Sequence, residues 1–487
     1  MQKSITKLYS AQQTREIDQR AQKELKITGF ELMLKAAQAG IDSINKHYSA
    51  VQKIAVICGA GNNAGDGYLV AKLAKQAGYH IQVISVINPN RLSADAKLAK
   101  DDFIEAGGEI SSNLGLINEP YDLIVDAILG TGVNRDVDDD FLSAINLINQ
   151  QSIPVFSLDI PSGLNADTGN VMGAAVHAAH CLSFIVHKQG MYTGLAADYI
   201  GTLLFSDLGV SLGIVEKTES ASHLVTNLAL SKRNKSAHKG HFGHSLIVGG
   251  DYQYAGAIQL AAQAALNSGS GLVSVATRAQ HAQSIHISCP ELMGIVVEKA
   301  SDIEAILNKF NVVVIGPGLG QNDWGKNLFN ALINSGVAKI LDADALNLLA
   351  KNPVYSDNWI LTPHPGEAAR LLNITTQDIL QDRFQAVKNL QKKYGGICIL
   401  KGAGTLIYDG NDITVNSTGN PGMASGGMGD VLAGLIGGLV AQKYSLHAAA
   451  VAGVFLHGLA ADIAVKQAGE RGLRASQVIN NIQQVVN

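Results

Sequence analysis

Apolar positions along this chain fall into short, β-branched runs, each followed by a glycine-bearing turn and then a longer stretch with helical spacing. In the first half the runs are residues 54–58, 81–87, 123–127 and 155–158. The same pattern resumes at 245–248, 272–276, 312–315, 339–341, 359–361 and 397–400. Continuous apolar strands alternating with helices predict parallel sheets covered on both faces, an α/β fold. Between the two series, residues 209–234 lose the pattern in GVSLGIVEKTESASH and SKRNKSAHKG, so a domain junction is expected near residue 220. The reading is a first domain over 1–218 and a second over 225–487. No short-period repeat is present, and the motif order differs between the halves, as in a fusion of two enzymes.

Length agrees with two domains, because 487 residues exceed the roughly 250–300 at which single cores stop growing. With 47% apolar and 16% charged residues, both halves have the material for a core. A formal charge of -4 without a basic run argues against a nucleic-acid track or a membrane-surface patch and favours small-molecule partners. Cys58, Cys181, Cys289 and Cys398 lie far apart, mostly in apolar runs, which suits reduced thiols in a cytoplasmic protein. The N-terminal segment has neither a signal-peptide core nor transit-peptide composition, and no apolar stretch reaches the ~20 residues of a membrane span before glycine or charge interrupts it. An assembly of identical copies is expected, with the amphipathic stretch over residues 11–39 serving a core or an interface.

Ligands of open α/β sheets bind outside the carboxyl ends of the strands, and the polar motifs cluster there. After IAVIC comes GAGNNAGDGYLVAKLA, a glycine turn feeding a helix whose first amides favour an anion. It is neither a dinucleotide fingerprint nor a P-loop; Asn62, Asn63 and Asp66 stand in the turn instead. Asp126 belongs to the next strand end, followed by Gly130, Thr131, Gly132 and then Arg135, whose planar fork suits phosphate. Asp159 ends VFSL and leads into Pro161, Ser162 and Gly163. Each aspartate taken alone is a helix cap; three strand ends with carboxylates or amides beside glycine form a site. Asn63, Asp126 and the Ser162 backbone offer oxygen only, which suits a hard, monovalent cation better than zinc.

GAGNNAGDG, DAILGTG and LDIPSGLNADTG resemble the NAD(P)H-hydrate epimerase family over roughly residues 1–215. The resemblance implies a Rossmann-like three-layer α/β/α domain that inverts C6 of a hydrated nicotinamide. It further implies potassium at Asn63, Asp126 and Ser162, and Asp159 as acid/base. Substrate contacts would fall on Asn62, Asn63, Ala64, Gly65, Asp66, on Gly130, Thr131, Gly132, Val133, Asn134, Arg135, Asp136, and on Asp159. The sequence departs from the family pattern at Ala64, where glycine is usual, and in the acidic residues 138–140. Ala64 disfavours a left-handed backbone there.

The second half carries NSTGNPGMASGGMGDVLAGLIGGLVAQ, in which Gly426, Gly427 and Gly429 precede an apolar helix and make an anion hole. Asp430 sits in the first turn, where a carboxylate repels bare phosphate and so makes sense as a base for an attacking hydroxyl. Its bland alternative is a helix-start residue meeting the dipole. KGAGT after ICIL and GPGLG after VVVI add two more glycine turns, and LDADALN and LTPHPGE place Asp342, Asp344, Asn347, His364 and Glu367 at further strand ends. His238, His241 and His244 crowd together without a cysteine or carboxylate to complete a zinc set. His457 and Asp462 read as helix packing and capping.

HKGHFGHSLIVGG, LDADALN, LTPHPGE, KGAGT and GNPGMASGGMGDVLAG together look like the NAD(P)H-hydrate dehydratase family, over nearly all of residues 225–487. That implies a ribokinase-like fold and nucleotide-dependent removal of water from the hydrated nicotinamide ring, with ADP giving AMP and phosphate. Ala257, Gly318, His364 and Asp430 would contact the hydrate, Lys401, Gly402, Ala403, Gly404, Thr405 and Gly429 the nucleotide, with magnesium accompanying it. The competing expectation is a ribokinase-type small-molecule kinase whose N-terminal half is a non-catalytic binding module.

Overall fold

The computed structural model describes residues 1–88 and 92–487 and divides them into two compact units. One comprises Lys7–Ser222; the other comprises His223–Asn487 together with Met1–Thr6, so the first six residues leave the domain to which the sequence assigned them.

In the N-terminal unit seven strands order as Ile110–Ser111, His80–Ser85, Lys53–Cys58, Leu123–Ala127, Val155–Leu158, His180–Phe184, Thr202–Ser206. Every neighbouring pair is parallel. Alternate side chains serve opposite faces, as a pleated strand requires. Val56 and Cys58 join a cluster with Ala36, Tyr68 and Phe103, whereas Ala55 and Ile57 join one with Ile124, Ala144 and Ile148. A strand buried on both sides makes the three-layer arrangement, the Rossmann-like domain of the sequence reading. Winding reverses between Lys53–Cys58 and Leu123–Ala127, so the loops after these two strands diverge and leave a crevice.

The C-terminal unit winds its first seven strands in the same way: Met293–Val296, Leu272–Thr277, His244–Val248, Val312–Ile315, Ala338–Leu341, Trp359–Leu361, Ile397–Leu400, all parallel. Leu406–Tyr408 and Ile413–Asn416 then continue antiparallel, and Ser222–Ala229 pairs parallel with the last. Strand order is thus shared by two units whose motifs differ. The core of this unit is packed by helices Ala255–Asn267, Met428–Ala441, Leu446–Ala468 and Ala475–Val485. The glycines inside Met428–Ala441 belong to this packing, since a Cβ on Gly434 would lie 2.0 Å from the Ala261 carbonyl oxygen. Leu446–Ala468 is a helix of 23 residues, long and apolar enough by length and composition to cross a membrane, although Asp462 and Lys466 stand in it. The sequence reading expected glycine or charge to break such a stretch; the two charges do stand in it, Gly453 and Gly458 leave the helix continuous, and 72% of its most apolar window is buried within the unit.

Candidate functional sites

Helix Asn62–Gln76 starts directly behind strand Lys53–Cys58, with Gly61 as its N-cap, and aims its first turn into a cavity of about 700 Å³. Asn62, Asn63, Asp66, the whole segment Gly130, Thr131, Gly132, Val133, Asn134, Arg135 and Asp136, and Asp159 line this one space. Ala64 and Gly65 face away from it and are buried; a Cβ on Gly65 would press 2.4 Å from the Met33 sulfur. Ala64 lies within the right-handed helix, so the departure from glycine costs nothing there. Of the acidic run, Asp138 reaches the cavity wall, while Asp139 and Asp140 begin helix Asp139–Asn149 and meet its dipole.

Asp159 holds a left-handed backbone, φ 65°, directly after its strand, and this turns its carboxylate toward the cavity. Its partner is Lys188, a fully buried side chain whose ammonium bonds the Asp159 carboxylate, Ser183 Oγ at 3.0 Å and the Phe184 carbonyl at 3.1 Å. Asp18 and Arg15, from helix Ala11–Leu25, close another side. Burial, then the charge of Asp159, pushes Asp18 up to about 7 and holds Asp66 well above the carboxylate range, with Lys188 opposing both. Three carboxylates therefore share the neighbourhood of one ammonium. Asp18, Arg15 and Lys188 were missed in the sequence. Lys188 follows strand His180–Phe184, whose HCLSF is too interrupted by polar residues to mark a strand end in the sequence.

Behind this wall lies a buried group of oxygen atoms. Asp126 is fully buried and accepts from Ser157 Oγ at 2.8 Å, Ser162 N at 2.9 Å, Ser162 Oγ and Ile128 N. Burial raises its pKa against these hydrogen bonds. Asn63 donates its amide to the Leu129 carbonyl at 3.0 Å, leaving its buried Oδ1 without a partner. Such an orphaned acceptor among oxygens is the environment a hard cation satisfies.

In the C-terminal unit, helix Met428–Ala441 begins after Gly427, itself left-handed at φ 90°. A cavity of about 520 Å³ gathers Asp342, His364, Glu367, Lys401 and the segment from Met423 to Asp430. Lys401 Nζ stands 2.8 Å from Asp342 Oδ1 and 3.7 Å from Glu367 Oε2. Space at Gly429 is tight, because a Cβ there would lie 3.2 Å from Asp342 Oδ2 and 3.3 Å from Lys401 Nζ. Burial lowers Lys401, but Asp342 and Glu367 overcome this and hold it above the ordinary lysine value. For Asp430 burial comes first and Asp342 second, and together they push it up to about 7 while Lys401 pulls down. His364 caps helix Pro365–Leu372, its Nδ1 accepting from Gly366 and Glu367 amides, which leaves Nε2 to carry the proton, 3.5 Å from Glu367 Oε1.

Other expected residues lie outside this cavity wall. Ala257 and Gly318 pack together, a Cβ on Gly318 lying 3.4 Å from that of Ala257, and neither lines the space around Asp430. From the KGAGT turn Lys401 alone reaches it; Gly402, Ala403, Gly404 and Thr405 do not. Asp344 accepts from Gly320 N, and Asp462 holds Gly419 and Asn420. His238 caps a short turn and His244 Nε2 meets Ser274 Oγ.

A family model described as NAD(P)H-hydrate dehydratase matches residues 245–484, and one described as YjeF-related protein N-terminus matches residues 29–190. The bifunctional NAD(P)H-hydrate repair enzyme Nnr of Coxiella burnetii is 44% identical over 99% of this chain and 100% of its own length. That of Escherichia coli is 42% identical over 95% and 90%. A solved structure of the ADP/ATP-dependent NAD(P)H-hydrate dehydratase of Bacillus subtilis, co-crystallized with ATP and Mg2+, is 28% identical, covers 53% of this chain and 93% of its own, and has a TM-score of 0.49. With two family models in tandem and relatives alike from end to end, the chain belongs to the bifunctional NAD(P)H-hydrate repair enzymes.

Proposed function

We propose that the N-terminal cavity interconverts the two C6 epimers of hydrated NADH or NADPH and that the C-terminal cavity dehydrates the S epimer at the expense of ADP. The observation that carries the second assignment is Asp430 at a helix N-terminus, among Asp342, Glu367 and Lys401, with its pKa pushed up to about 7. Asp430 takes the proton of the C6 hydroxyl, whose oxygen attacks the terminal phosphoryl group of ADP and releases AMP. Amides at the helix start hold the charge that develops. The C6 oxygen, now part of a good leaving group, departs as phosphate while a proton leaves C5, and the reduced dinucleotide is restored. Magnesium bound to the nucleotide would neutralise phosphate charge. Asp342 Oδ1 accepts from Lys401 and Thr362, and Oδ2 is the oxygen that could meet the ion.

In the N-terminal cavity, water leaves C6 with a proton from one carboxyl group and returns to the opposite ring face, where another carboxylate takes its proton. Asp159 is one of the pair, and Asp18 and Asp66, both pushed toward the neutral acid, are candidates for the other. Potassium would be held by Asn63, Asp126 and Ser162, and would fix the loops after two strands. Adding potassium in place of sodium should raise the melting temperature of the N-terminal unit, and Asp126→Ala should abolish that rise; equal melting in both salts would remove the assignment. Four free cysteines, three of them buried, suit a reducing cytoplasm, and an assembly of identical copies completes the reading.

The test is to supply both epimers with ADP and follow reduced dinucleotide. Complete conversion is expected. A stable phosphorylated product without restored dinucleotide would establish the kinase reading instead, and conversion that stops when one epimer is exhausted would leave the N-terminal half a binding module.

A further inference from the structure

Arg383 opens helix Arg383–Tyr394 and is 2% exposed. Its guanidinium reaches beneath the KGAGT turn. Nη1 donates to the carbonyls of Ala403 and, at 3.4 Å, Gly404; Nη2 donates to Leu400 at 3.2 Å and Lys401 at 3.3 Å. The two remaining carbonyls of the segment are also taken, Gly402 by Thr405 Oγ1 at 2.9 Å and Thr405 by Asn416 N at 3.0 Å. Gly402, at φ 139°, leaves the space that Nη2 occupies, since a Cβ there would lie 2.9 Å from it. Each carbonyl oxygen from residue 400 to 405 is therefore engaged by a protein donor, four of the six by one side chain.

A turn that meets phosphate must keep its carbonyl oxygens, which are partly negative, away from the anion. It also gains from a positive charge behind it. Arg383 supplies both, because a guanidinium has five donors in a fixed fork and burial lowers its pKa only to about 10, so it stays charged at neutral pH. We propose that Arg383 is a positioning residue for the diphosphate of the nucleotide, shaping the KGAGT turn from beneath and adding attraction through it without touching the ligand. This rests on the reading of Lys401 to Thr405 as nucleotide contacts.

The experiment measures ADP affinity by calorimetry and steady-state constants for the full chain carrying Arg383→Gln, Arg383→Lys or, as a direct change in the turn, Gly404→Val. Arg383→Gln should raise the KM and Kd for ADP at least about tenfold, with the KM for the hydrate changed less than twofold. Arg383→Lys, which keeps the charge and loses the fork, should fall between it and the native chain. A purely structural role would lower melting temperature and active fraction and leave the Kd for ADP in the folded protein unchanged, which overturns the proposal, as would failure of both variants to fold. If Gly404→Val weakens ADP and the Arg383 variants do not, Arg383 alone is misassigned. If Gly404→Val also leaves ADP binding intact, the turn is not the nucleotide site and both readings fall.

Discussion

Asp430→Asn should abolish dehydration, lowering kcat by about 10²–10⁴, while ADP still binds and epimers still interconvert. Asn keeps the size and polarity of the side chain and loses the ability to accept a proton, so helix start and glycines stay as they are. In the native enzyme the carboxylate form is the base, and its pKa stands at about 7. Dehydration should therefore rise with pH through about 7 and level off above it, with the acid limb absent from any residual activity of the variant. Stability moves the other way. A carboxyl raised above its unfolded value favours the folded state only while protonated, so its contribution is present below about pH 4 and lost as pH rises through 7. At pH 8 Asn relieves the burial of that charge, and after discounting for partial solvent exposure the gain is about 1–3 kcal/mol, or several degrees in melting temperature. Turnover within a factor of five of native, or a lower melting temperature at pH 8, would rule out this role.

Lys188→Met should silence epimerisation in the same way. It removes the cation that opposes the rise of both Asp18 and Asp66, and it strips Asp159 of its bonded partner. Breaking a buried ion pair by removing one side costs about 3–5 kcal/mol, so melting of the N-terminal unit should also fall. Loss of stability alone does not change a pH profile. Without Lys188 the two raised aspartates rise further, and the residual epimerisation should have its profile displaced toward higher pH. Measured in the Asp430→Asn background, where no dehydration drains one epimer, the rate should drop at least about 10²-fold. A variant keeping more than a tenth of the rate with an unmoved profile would make Lys188 a packing residue.

Most of the sheet could be read from the chain because a strand buried on both faces is written as an unbroken apolar run, and ten such runs coincide with ten parallel strands. Strands His180–Phe184, Thr202–Ser206 and Met293–Val296 escaped, since serine, histidine, threonine or glycine interrupts their runs. In the apolar helix Leu446–Ala468 charge does interrupt the run at Asp462 and Lys466, as the sequence suggested, whereas Gly453 and Gly458 stay helical and pack closely against Ile436 and Thr418. Asn62, Asn63, Asp66, Gly130 to Asp136 and Asp159 were legible because each lies just after a strand, and the topology of a parallel sheet brings strand ends together; Asp430 was legible through the glycines that open its helix.

What the sequence alone determined was therefore the two-unit α/β plan, the strand-end motifs and the family they resemble, all of which depend on local order along the chain. Tertiary structure alone decided which charges face one another. Lys188 beside Asp159, Lys401 between Asp342 and Glu367, and Arg383 beneath residues 400–405 are pairings across 17 to 59 positions. No periodicity encodes them, because Coulomb energy and burial depend on distances in space, and those are set only when the elements pack.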